Sequence, residues 1–179
     1  MNAPRPEQAP TADRFPVSVV MERRNATSGR WTFPRWQAVS VVAGHSLAAG
    51  RQPSSLIRKD AETEQHLWTG FTVVLHKDSS ESYWYNLVGK APSLFVVCRN
   101  TPEGALAPFT VSANYDEAGA YMEADEAVFS VAMPAEVYQW LEQYVVANFK
   151  PQERKQRKRK NWLEEAEHVK QPRRSGGPR

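Results

Sequence analysis

Apolar and polar positions organise this chain most clearly between residues 67 and 115. Apolar runs occupy residues 67–75, 83–88 and 94–98, and a fourth follows at 108–113. All four are rich in β-branched and aromatic residues, and turn chemistry bounds them. The pattern predicts an antiparallel sheet at the core of one domain. In the first run Phe71, Val73 and Leu75 share one face. In the second, Tyr83, Tyr85 and Leu87 share one face and Trp84, Asn86 and Val88 the other, so this strand is expected to be covered on both sides or to line a groove.

The flanks extend the sheet. Residues 15–21 predict a first strand with Val17, Val19 and Met21 on one face, residues 23–30 a polar turn region, and residues 36–43 a second strand entered at Pro34. Residues 44–65 read as a long polar loop whose composition favours disorder. Asn114 is placed to cap a short helix, with Glu117 three residues on to reach back. A last strand spans 128–133. After Pro134 the stripe Val137, Trp140, Leu141, Tyr144 and Val145 predicts an amphipathic helix that covers the sheet and ends before Pro151. The expected fold is α+β: a twisted, mostly antiparallel sheet or half-open barrel of six to seven strands with the C-terminal helix packed on it. By analogy, a pleckstrin-homology-like barrel has this order. The domain is expected to span 15–149. It lies between a disordered arm at 1–14 and a basic tail at 150–179, with a short helix at 161–170.

Charge changes this picture at one end. From residue 150 on there are 11 Lys and Arg against 4 Asp and Glu, a net +7, while the preceding residues hold 12 against 16 and are net −4. Polyanion binding is therefore expected of the tail and not of the sheet. The single cysteine, Cys98, sits in an apolar run and predicts a buried, reduced thiol. No apolar run is long enough to cross a bilayer, the N-terminal residues lack a signal-peptide core, and Arg23-Arg24 precedes no apolar segment, so a cytoplasmic protein is expected.

Candidate chemistry is sparse. Gly44-His45-Ser46-Leu47-Ala48 echoes the nucleophile elbow of α/β hydrolases, but Gly50 and Pro53 interrupt the helix that should follow, and a plain polar loop is the better reading. His45, His66, His76 and His168 form no pair at metal-ligand spacing. Asp116, Glu117, Glu123, Asp125 and Glu126 read as a solvated face. Gly70-Phe71 with Tyr83 and Tyr85 has the aromatics of an RNA-binding sheet, yet Thr69 stands where a basic residue is needed. Phosphate-cradling Gly-rich loops are missing. No catalytic residue, cofactor or metal is therefore assigned, and the chain reads as a non-catalytic interaction protein. Its partner-binding candidates are Arg154, Lys155, Arg157, Lys158, Arg159, Lys160, Trp162 and Leu163, because an aromatic beside a charge patch is a typical anchor for a protein partner. The alternative is nucleic-acid binding by the same basic tail.

Four segments resemble a known family: residues 15–24 (FPVSVVMERR), 84–87 (WYNL), 108–118 (PFTVSANYDEA) and 133–140 (MPAEVYQW). They are similar to an uncharacterised bacterial domain-of-unknown-function family, family 3305, and the resemblance covers about residues 15–160. Members of that family are often encoded beside formate dehydrogenase genes, and some carry a label of molybdopterin-guanine dinucleotide biosynthesis. The Gly-rich nucleotide loop of such transferases is missing here. The resemblance implies an accessory role in the biogenesis or assembly of molybdenum-dependent formate dehydrogenase, with a subunit of that enzyme as partner. It supplies no catalytic residues to carry over.

Overall fold

A computed structural model describes residues 10–44 and 55–150. Along them run β1 (Arg14–Ser28), β2 (Trp31–Ala43), β3 (Ser55–Lys59), β4 (Thr63–Val74), α1 (Ser80–Val88), β5 (Ser93–Asn100), β6 (Leu106–Ser112), α2 (Tyr115–Glu123), β7 (Ala127–Ala132) and α3 (Ala135–Asn148). The strands form two antiparallel sheets, ordered β2-β1-β4-β3 and β6-β5-β7.

β1 is central in the larger sheet and is buried on both faces over residues 15–22. Two bulges bend it against its neighbours. Val39 is the extra residue opposite Val20 and Met21. Opposite Val17 to Val19, β4 carries an extra residue beside Gly70, whose φ of 85° lies in the left-handed region that glycine enters without a Cβ clash. In the smaller sheet Pro108 sits on the edge strand β6, where its missing N–H costs no ladder bond on the open side.

One continuous apolar core joins both sheets to α1 and α3. Val17, Val19 and Val73 from one sheet meet Leu94, Val96 and Cys98 from the other, with Tyr83, Val137 and Leu141 from the helices. Each fully buried aliphatic side chain contributes about 1.5–3 kcal/mol relative to exposure. The stripe on α3 is buried as its spacing predicts, at Val137, Leu141, Tyr144 and Val145, although α3 packs chiefly on α1 and less on the sheets. Trp140 lies against Phe15 at 5.2 Å and donates its indole N–H to the Thr11 carbonyl at 2.7 Å. Tyr144 meets Tyr83 edge-on at 6.2 Å, which docks α3 on α1.

The α+β class and the antiparallel pairing agree with the sequence pattern, the number of strands agrees only in total because β3 stands in for the strand expected at 83–88, and four other expectations are corrected. The single sheet or half-open barrel is instead two sheets. β3 occupies the free edge of β4, so β5, delivered after α1, starts a second sheet, and no strand pairing closes the two into a barrel among the described residues. Residues 83–88 are helical: Ser80, Tyr83 and Leu87 are buried at helical spacing, and that period overrides the β propensity of Tyr, Trp and Val. The connection at 44–65 holds β3 and the start of β4, with residues 45–54 outside the described ones. The polar region at 23–30 is strand up to Ser28. The turn is only two residues, with Gly29 at φ 61°.

Candidate interaction site

The residues expected to bind a partner, Arg154, Lys155, Arg157, Lys158, Arg159, Lys160, Trp162 and Leu163, lie outside the described residues, as do Ser46, His45 and His168. The other candidates are placed. Cys98 is fully buried in β5, and burial pushes its thiol up to about 12, which removes the thiolate a nucleophile requires. Tyr83 is in the core and Tyr85 on the surface of α1, so neither stands on a sheet face for base stacking. Asp116, Glu117, Glu123 and Asp125 are exposed, and Glu126 accepts from Arg99 Nε at 2.6 Å. Among the described residues no group of three or more His, Cys, Asp or Glu is arranged to hold a metal ion.

What the fold exposes is an arm. The pairing of β1 with β4 ends at Arg24 and Thr63, whereas the pairing of β1 with β2 continues to Ser28 and Trp31. The hairpin thus projects beyond the body of the sheet as a two-stranded ribbon. Opposed residues share a face, so Arg24, Ala26 and Ser28 lie with Arg35, Phe33 and Trp31. Trp31 is 79% exposed and Phe33 47% exposed. Residues 23–36 include Arg23, Arg24, Arg30 and Arg35 and contain no Asp or Glu.

A polar network fixes the base of this arm. Glu22 is buried, 7% exposed, on the same face as Arg24. A carboxylate there needs partners to offset its lost hydration. Gln65 Nε2 donates to it at 2.9 Å, Gln37 Nε2 at 3.2 Å and Arg24 Nη2 at 3.3 Å. On the opposite face Arg23 and Lys59 both reach Glu64, at 3.3 and 2.8 Å. The bond from Lys59 is the main cause that holds the Glu64 carboxyl below its ordinary range. Each strand of the larger sheet is thereby tied to the next where the ribbon leaves it.

The second surface feature is a groove of about 650 Å³ between α1 and the start of α2. Its base is well bonded. Ser82 Oγ donates to Asn114 Oδ1 at 2.7 Å, and the same oxygen caps α2 by accepting from the Asp116 and Glu117 backbone N–H groups. Glu117 does not reach back to the cap backbone directly. Asn114 N–H donates to Ser112 Oγ, which donates to Glu117 Oε2 at 2.6 Å.

Sequence reasoning missed the arm because Asn25, Ser28 and Gly29 read as one turn cluster. Gly29, two residues before the alternating run Trp31-Thr-Phe, was the available signal for a tight hairpin. No curated protein and no solved structure matches the chain. A family model described as "Protein of unknown function (DUF3305)" matches residues 16–159, most of the chain, and the chain belongs to that family.

Proposed function

We propose that this chain is a non-catalytic accessory protein that docks a protein partner, and that the partner is a subunit of molybdenum-dependent formate dehydrogenase during its biogenesis or assembly. The observation that carries the docking role is the arm. A tight hairpin holds Trp31 and Phe33 in solvent beside Arg24 and Arg35, and large exposed aromatics flanked by arginine are the residue types that dominate protein interfaces. The identity of the partner rests on the family resemblance. The basic tail, with Arg154, Lys155, Arg157, Lys158, Arg159, Lys160, Trp162 and Leu163, is a second contact in this proposal.

Affinity capture of the tagged chain from its native cell tests the reading. The expected result is a formate dehydrogenase subunit retained by the full chain and lost when Trp31→Ala and Phe33→Ala are combined. Recovery of the same proteins with and without those substitutions contradicts it. The run of arginines at 23–36 with no acidic residue also favours a second reading, nucleic-acid binding. That reading predicts nuclease-sensitive material in the eluate and affinity that falls steeply with salt.

A further inference from the structure

We infer that the groove between α1 and α2 is the intramolecular docking site of the basic run at residues 154–160. This goes beyond the partner binding proposed above and stands independently of the arm. Three carboxylates, Asp78, Glu81 and Asp116, and three aromatic rings, Tyr85, Phe95 and Tyr115, line the groove, and among the described residues no Lys or Arg does. Tyr85 and Tyr115 are 57% and 62% exposed, and Phe95 supports Tyr115 edge-on at 5.9 Å. Aromatic faces beside carboxylates suit lysine and arginine: the charged heads pair with the acids while the apolar stems and the cation–π attraction use the rings.

The fold delivers this ligand to the rim. α3 ends at Asn148, and Phe149, its C-terminal cap, lies against Trp84 at 5.7 Å. Trp84 in turn lies against Tyr85 at 4.9 Å, and Tyr85 lines the groove. Arg154 follows Phe149 by five residues, a reach of roughly 16 Å when extended, which exceeds the two ring spacings together. Residues 154–160 hold six Lys and Arg and no acid, whereas residues 1–149 are net −4. A tethered ligand of opposite charge acts at high effective concentration, so weak individual contacts suffice. In this arrangement the groove holds the tail until a partner competes for it.

Carbodiimide cross-linking of the full chain at low salt, read by peptide mass spectrometry, tests the inference. A mixture of 15N-labelled and unlabelled chain separates links within one molecule from links between two. The expected result is intramolecular amide links from Lys155, Lys158 or Lys160 to Asp78, Glu81 or Asp116. They should fall at least fivefold in Arg157→Glu/Lys158→Glu/Arg159→Glu, a variant that changes no residue of 10–44 or 55–150. Trypsin should also cut within 154–160 at least fivefold faster in Asp78→Asn/Glu81→Gln/Asp116→Asn, whose thermal unfolding confirms that it folds. Tail links spread over carboxylates elsewhere, links only between molecules, or equal trypsin rates would each overturn the inference. None of these outcomes involves the arm or a partner enzyme, so failure here is distinct from failure of the proposed function.

Discussion

At the scale of single residues, a half-buried polar side chain with several hydrogen bonds can tie separate segments together. Asn86 joins three elements: its Nδ2 donates to the Ser93 and Ala113 carbonyls, both at 2.8 Å, and its Oδ1 accepts from Ser93 N–H at 3.0 Å. Asn86→Ala should lower stability by about 1–3 kcal/mol, read as a shift in the urea midpoint at unchanged slope. Asn86→Asp should not restore it, because a carboxylate cannot donate to the two carbonyls. Cys98 offers a second test. With its thiol pushed up to about 12, it should resist maleimide in the native chain at neutral pH and react fully in denaturant. Rapid native labelling would contradict its place in the core. The sequence placed Cys98 correctly because the run that leads into it, residues 94–97, is uniformly apolar. It could not place Trp31, because an aromatic in an alternating run looks the same whether the strand lies over the core or runs past it.

At the scale of elements, local pattern succeeded where one period was unambiguous. The stripe of α3 repeats over two turns, and Asn114 presents a capping side chain immediately before a helix, so both were legible. Asn114→Ala should cost about 1 kcal/mol for the lost cap, and more if Ser82 is left without its acceptor, whereas Asn114→Asp should retain most of it. Leu141→Ala, at a fully buried position of α3, should cost about 2–5 kcal/mol by thermal or denaturant unfolding. The segment 83–88 failed as a strand because its six residues carry high β propensity and are too short to display a helical period. The period emerges only when Ser80 is counted with Tyr83 and Leu87. Division into two sheets was illegible for a different reason. It depends on β4 pairing with β1 across about 40–60 residues, which leaves no local signal, and on the short β3–β4 hairpin taking the other edge of β4.

At the scale of the whole molecule, titration should erode stability on both sides of neutrality. On the alkaline side burial raises Cys98 from an ordinary 9.0 and also raises Tyr83 and Tyr144. The fold holds protons that the unfolded chain would release. Stability is therefore full below about pH 9 and lost as pH rises toward the folded values. The urea midpoint should fall between about pH 9 and 12, and less steeply in Cys98→Val. On the acid side hydrogen bonds from Thr63 lower Asp60, and the bond from Lys59 leads in lowering Glu64. Their contribution is present above their ordinary values and disappears as pH falls through the lowered ones.

The β1–β2 arm is proposed as a docking surface for formate dehydrogenase. Its most direct test is the affinity of the purified full chain for the purified enzyme, measured beside Trp31→Ala/Phe33→Ala/Arg35→Glu. All three residues are exposed on the arm, so the variant should retain the thermal stability of the parent. Measurable binding by the parent, weakened at least tenfold in the variant, is the predicted result. Equal affinities, or no binding by the parent, would contradict it.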